Sequence, residues 1–214
     1  MKTNLICLAA GLLLAACAPK SGNTTKVVGQ FKETAPEVVE FVMGDVLDTT
    51  VIVKNGRFEV EIPKDLTRVA VFQPGDYMGV DFLSDGSVIT IDPEKGTAVS
   101  SNKKGPQARY AAYVEWMENF ISDYRAKIAD FGEDEEAAAQ YFDEIIDPFN
   151  DYQKETIAAN SDNILGLMAF SQLMMDDVNE LLGLLDGFSD EMKATPAYVS
   201  MREVFTSPVD EDQE

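Results

Sequence analysis

The fold of the first half of this chain is decided by the stretch Thr50-Val51-Ile52-Val53-Lys54-Asn55-Gly56-Arg57-Phe58-Glu59-Val60-Glu61-Ile62. In its second arm, Phe58, Val60 and Ile62 alternate with charged residues, as in a strand with one buried and one solvent-exposed face. Asn55-Gly56 between the arms is a strong hairpin signal, because both central positions of a two-residue turn need a positive φ. The stretch therefore predicts two antiparallel strands joined at residues 55–56.

The same combination of strand pattern and turn residues recurs on both sides of this hairpin. A second hairpin is predicted where residues 80–84 and 87–92 flank Asp85-Gly86. Further strand candidates are residues 26–31, 38–43 and 68–72. About seven short strands before residue 93 predict a small antiparallel β-sandwich or open barrel, which we place at residues 26–104.

After Gly105-Pro106 the hydrophobic period becomes helical. Apolar residues at spacings of three and four form an amphipathic stripe, namely Tyr110, Tyr113, Val114, Met117, Phe120, Ile121, Tyr124, Ile128 and Phe131. We expect Tyr113, Met117, Phe120 and Tyr124 to be inside. The overall expectation is an α+β protein in which an acidic α-helical bundle at residues 105–206 follows the β-rich module.

The boundaries of the later helices are predicted from their capping residues and one proline. A second long helix carries apolar residues up to Tyr152, and Pro148 within it predicts a kink or a break. Asp162-Asn163 is expected to cap a helix that ends at Met175. Asp176 and Ser189 are expected to begin the remaining short helices.

The first 17 residues have the layout of a bacterial lipoprotein signal. Met1-Lys2 gives a positive start, an apolar run extends from Leu5 to Leu14, and Ala15-Ala16-Cys17 follows it. The run is too short for a permanent membrane span, which needs about 20 apolar residues. We therefore predict a signal peptide at residues 1–16, lipid attachment at Cys17, and a small, polar tether at residues 17–25.

The charge of the chain excludes one class of partner. The formal net charge is −21, and residues 106–214 contribute 25 acidic but only 6 basic side chains. Such a surface repels phosphate backbones, so no nucleic-acid partner is expected. The acidic face is interpreted as a solubilising surface, with a basic partner or loosely bound divalent cations as the alternative. Residues 207–214 are predicted to be a polar, acidic tail.

The composition also leaves little catalytic chemistry. The chain has no histidine, and its two cysteines are Cys7, inside the signal, and Cys17. Histidine-based triads, thiolate metal sites and Cys-x-x-Cys redox chemistry are therefore excluded. Chemistry with carboxylates alone, as in a glycosidase, stays open. No catalytic, cofactor-binding or metal-binding residue is assigned, and no cofactor is expected.

Two segments carry a family resemblance. They are Asp48-Thr49-Thr50 with the Asn55–Glu59 turn, and Asn160-Ser161-Asp162-Asn163-Ile164-Leu165-Gly166. With the lipoprotein signal, they resemble the N-terminal region of Bacteroidetes-type lipoproteins of the AhpC/TSA and thiol-disulfide reductase group. In that group a β-rich domain of unknown function and a helical segment precede a thioredoxin-like domain. This sequence contains no Cys-x-x-Cys, so we expect no thioredoxin fold.

The resemblance implies a place in the cell envelope. Surface-exported lipoproteins of this group have acidic residues just after the cysteine, and Ala18-Pro19-Lys20-Ser21 has none. We therefore expect a lipid anchor on the periplasmic face of the outer membrane. The leading hypothesis is a non-catalytic interaction or accessory module with an envelope protein as partner. The alternatives are a β-sandwich that binds sugar or peptide, half of a split thiol-disulfide oxidoreductase, and, last, a carboxylate-only hydrolase.

Overall fold

The computed structural model describes residues 23–75 and 78–206. The predicted signal peptide, Cys17 and the predicted tail at residues 207–214 lie outside these residues. The described chain is α+β, with strands first and helices second. The strands are β1 (Thr24–Gln30), β2 (Val38–Met43), β3 (Leu47–Ile52), β4 (Arg57–Pro63), β5 (Asp65–Gln73), β6 (Val80–Ser84), β7 (Val88–Asp92) and β8 (Thr97–Ser100). The helices are α1 (Pro106–Phe131), α2 (Glu135–Ala159), α3 (Ile164–Phe170), α4 (Val178–Asp186), α5 (Asp190–Lys193) and α6 (Pro196–Thr206).

The strands form two four-stranded sheets. Sheet 1 has the order β4-β1-β7-β8, and sheet 2 has the order β3-β2-β5-β6. All pairs are antiparallel except β1 with β7, which run parallel. Both sheets contribute to one core, in which the ring of Phe58 from sheet 1 stacks on that of Phe72 from sheet 2 at 4.9 Å. Phe58 and Ile62 are buried as expected, whereas Val60 is only half-buried.

The turn at Asn55-Gly56 forms, but the predicted hairpin around it does not. Both residues have positive φ values of 53° and 74°, and the flanking Lys54 and Arg57 exchange two backbone hydrogen bonds. Beyond this bridge the arms separate, because β3 pairs with β2 and β4 pairs with β1. The prediction of a hairpin was therefore wrong, and the turn is a corner between the sheets.

The second predicted hairpin is also a corner. β6 belongs to sheet 2 and β7 to sheet 1, so the two strands are not paired with each other. The Oδ1 atom of Asp85 accepts a bond from the Ser87 amide at 3.0 Å, and Gly86 has a φ of 84°. The Gly86 amide donates to the hydroxyl of Thr25 at 2.7 Å. Thr25 is fully buried, so β1 includes two residues that the sequence assigned to the tether.

The helices differ from the sequence expectation at three points, of which the first is the cap of α4, where the side chain of Asp177 and not that of Asp176 accepts the amide hydrogen bonds. α2 continues through Pro148 without a break, at a position where the side chain is exposed. α3 ends at Phe170, five residues before Met175. The predicted caps of α3 and α5 form, since the side chains of Asn163 and Ser189 accept bonds from the amides of Leu165 and Met192.

The expected burial of the α1 stripe holds only at its base. Tyr113 is buried, whereas Met117, Phe120 and Tyr124 are half-buried, contrary to the prediction. The reason is that α1 and α2 extend past the rest of the protein, and no residue between 114 and 148 is fully buried. We call residues 114–148 the distal hairpin.

The two halves are joined where α1 begins. Gln107 is 1% exposed and lies at the edges of both sheets. Its Oε1 atom accepts from the Leu83 amide of β6 at 2.6 Å, and its Nε2 atom donates to the Ala98 carbonyl of β8 at 3.0 Å. One side chain therefore satisfies a free edge group of each sheet. Leu83 itself packs into the core of the helical half.

Candidate functional site

The predicted lipid attachment site, Cys17, lies outside the described residues. The first described element that follows it in the chain is the strand β1. β1 begins at Thr24 and is hydrogen-bonded on both sides, to β4 and to β7. Among the described residues, none of the helices combines the length and apolar character of a membrane span.

An open depression of about 660 Å³ lies on the outer face of sheet 1. Its lining is Val28, Gly29, Gln30, Ile52, Lys54, Arg57, Phe58, Glu59, Thr90, Ile91 and Asp92. Arg57 Nε donates to Gln30 Oε1 at 3.3 Å, and Ile52 beside it is 66% exposed. The lining therefore combines charged side chains of both signs with an exposed apolar side chain.

Two carboxylates that line this depression, Asp92 and Glu59, are paired with lysines. Lys32 Nζ lies 2.8 Å from Asp92 Oδ2. This hydrogen bond lowers the pKa of Asp92 and raises the pKa of Lys32. Lys26 pairs with Glu59 at 2.6 Å, where both side chains are exposed. Both carboxylates are therefore engaged in local ion pairs.

A groove of about 590 Å³ separates the β half from the helical half. Asp65 lies in it, and its Oδ1 atom accepts from both the amide and the hydroxyl of Thr67 at 2.7 Å. Arg68 donates to Asp65 Oδ2 at 2.8 Å. Burial acts to raise the pKa of Asp65, but these bonds together outweigh it and hold the pKa below its ordinary value.

A carboxylate-only hydrolase needs one acid with a raised pKa close to another that stays ionised. Burial raises the pKa of Asp81, which lies on β6. Burial also raises the pKa of Tyr110 to about 12, with the charge of Asp81 as a further cause. Asp81 lines neither the depression nor the groove. The described residues therefore do not bring such a pair together in either cavity.

A cleft between α2 and α4 collects several acidic side chains. Asp147, Asp151, Asp176, Asp177 and Glu180 line it. Lys154 pairs with Glu180 at 2.6 Å, while the Asp177 carboxylate caps α4. Within residues 23–75 and 78–206, no group of histidine, cysteine, aspartate or glutamate is arranged to hold a metal ion.

The segment Asn160–Gly166, which carried the family resemblance, has a structural role. Arg109 Nε donates to Asn160 Oδ1 at 2.8 Å, and Asn163 Nδ2 donates to the same oxygen at 3.2 Å. A Cβ atom on Gly166 would lie 2.3 Å from the Asn160 carbonyl oxygen. Two buried asparagines and a glycine are thus needed to fold the chain sharply from α2 into α3.

A ladder of aromatic rings between α1 and α2 runs from the base of the helices into the distal hairpin. Trp116 stacks on Tyr152 with ring centroids 3.7 Å apart. Farther out, Tyr124 faces Tyr141 at 6.2 Å. The spacing of the α1 stripe predicted Tyr124 but placed it in a buried core, because periodicity does not show where the packing partners end.

Comparison with known proteins gives no relative. No protein-family model, curated protein or solved structure matches the chain. The resemblance to the thiol-disulfide reductase lipoproteins therefore stays a prediction.

Proposed function

We propose that this protein is a lipid-anchored module of the bacterial cell envelope that binds other envelope components and does not itself catalyse a reaction. The carrying observation is the apolar run that ends in Leu14-Ala15-Ala16-Cys17, followed by a domain whose first strand begins at Thr24. Six residues between the lipid and that strand hold the domain close to the membrane surface. The family resemblance and the residues after Cys17 favour the periplasmic face of the outer membrane.

The structure supports an interaction module through its outward-facing surfaces. The perturbed carboxylates Asp65 and Asp92 are engaged in local ion pairs. The distal hairpin, by contrast, presents half-exposed apolar side chains to the solvent. Exposed apolar side chains on a projecting element provide contact area for a partner, because they are not packed in the core of the protein.

Mass spectrometry of the protein from membranes tests the anchor. We expect an N-terminal acylated cysteine at position 17 and no residues 1–16, and protease added to intact cells should leave the protein undigested. A Cys17→Ser variant should lose the lipid. Recovery of unmodified protein that still begins with Met1 would contradict the proposal, and digestion on intact cells would contradict the periplasmic location.

A second function, ligand binding by the sandwich, is favoured by the depression on sheet 1. Its test is titration of the isotope-labelled full chain with a panel of oligosaccharides and short peptides. The binding is followed by NMR. Chemical shift changes confined to Thr90, Arg57 and their neighbours would support it. Changes elsewhere, or none at millimolar ligand, would rule it out.

A further inference from the structure

We propose that the distal hairpin is a docking site for a basic amphipathic helix of a partner protein, an inference that rests on the interaction function proposed above. The starting observation is that two apolar stripes run from the protein's core outward along the hairpin and become exposed. One lies on α1 and the other on α2.

The α1 stripe has the spacing of a coiled-coil seam. Val114, Met117, Ile121, Tyr124 and Ile128 follow one another at intervals of three, four, three and four residues. Val114 and Met117 pack against the helical core, whereas Ile121 is 39% exposed. Farther out, Tyr124 packs against Tyr141 of α2, so Ile121 is the exposed member of this stripe.

The α2 stripe behaves in the same way. Phe149, Gln153 and Ile157 are buried at the base, while Ile146 is half-buried and Phe142 is 38% exposed. The Tyr124–Tyr141 ring contact fixes the two helices in register, so Ile121 and Phe142 lie about half a turn apart along the hairpin. On antiparallel helices of 3.6 residues per turn, both fall on the same side of the hairpin.

The charge around the stripes indicates the chemistry of the occupant. The distal hairpin has 11 acidic and 2 basic residues, a net charge of −9. None of these 11 carboxylates forms a salt bridge with another residue of the described chain. A second copy of the hairpin would bring two such surfaces together and is disfavoured by repulsion. A helix with one apolar face and lysine or arginine flanks complements both the exposed apolar side chains and the charge around them.

The test uses the full chain in detergent and a synthetic amphipathic peptide of about 18 residues made of leucine and lysine, which spans about 27 Å as a helix. Two further peptides are a scrambled version without an apolar face and a version with glutamate in place of lysine. Fluorescence anisotropy should show affinity at least about tenfold higher for the amphipathic lysine peptide than for either control. Equal binding of the scrambled peptide would overturn the proposal, because charge alone would then explain the binding.

Matched variants locate the site. The double variant Ile121→Ser/Phe142→Ser should lose about tenfold in affinity, whereas Val199→Ser/Val204→Ser, at exposed positions on α6, should not. Separately, Glu118→Gln/Asp143→Asn should weaken binding and reduce its dependence on salt, unlike Glu37→Gln/Glu40→Gln in the β half. Equal losses in the test and control pairs would overturn the proposal.

Sedimentation velocity tests the remaining possible occupant of this surface, a second copy of the chain. The full chain should sediment as one copy, and a dimer that Ile121→Ser/Phe142→Ser dissociates would assign the surface to a second copy instead. These measurements use purified protein and do not depend on the lipid. Failure to bind the peptide therefore leaves the proposed anchoring intact, and failure of the acylation test leaves this surface intact.

Discussion

At the scale of single residues, the close approach of α3 to the end of α2 depends on one glycine. Gly166→Ala should destabilise the protein by about 1–3 kcal/mol, because the new Cβ atom would clash with the Asn160 carbonyl oxygen. At Gly183, inside α4, no atom beyond its chain neighbours and the adjacent helix backbone lies within 4 Å of the position that a Cβ would take. Gly183→Ala should therefore stabilise by about 0.5–1 kcal/mol. Urea unfolding of both variants measures the difference, and a loss at Gly183 as large as that at Gly166 would contradict this account.

Gly166 and the neighbouring cap Asn163 show which structural roles of single residues could be predicted from the sequence and which could not. The sequence identified Asn163 as a helix cap, because an asparagine before an apolar helix start has a local role. It gave no reason for Gly166, whose neighbour across the backbone, Asn160, is fixed only by folding. The cap is a local property and could be predicted, whereas the close approach is a tertiary one.

At the scale of elements, the closure of the sandwich edge by α1 leads to a second prediction. Gln107→Ala would leave the Leu83 amide and the Ala98 carbonyl without their partner, at a cost of about 2–4 kcal/mol. Gln140→Ala, at an exposed position on α2, should change stability by less than about 0.5 kcal/mol. Thermal unfolding followed by circular dichroism gives both values. Similar values for the two would mean that α1 does not hold the edge groups of the sheets.

Strand pairing was the part of the fold that local sequence could not determine. Asn55-Gly56 adopts the positive φ values that its composition predicted. Turn chemistry fixes only these residues, however, and the alternation of Phe58 and Ile62 is satisfied either in a hairpin or in two sheets that face each other. The choice between them is made by contacts such as the stacking of Phe58 on Phe72, which join distant strands. The α+β class was predictable from periodicity, and the strand order was not.

At the scale of the whole molecule, burial is unevenly distributed, and this predicts uneven local stability. Backbone amides of residues 121–145 should exchange hydrogen at least about tenfold faster than those of residues 149–157, because local opening there breaks few buried contacts. Amides of β1 serve as the internal reference for the most protected part. Native-state hydrogen exchange followed by mass spectrometry measures all three segments. Equal protection at the tip and the base would mean that the tip is covered in solution.

The placement of β1 has a mechanical consequence. Any pull transmitted through the residues before Asn23 enters the domain along this strand, which is bonded to β4 on one side and to β7 on the other. A pull along the strand axis loads both ladders in shear, and the bonds then share the tension instead of rupturing singly from one end. The domain is therefore reinforced at the point where tension from its N-terminal segment enters.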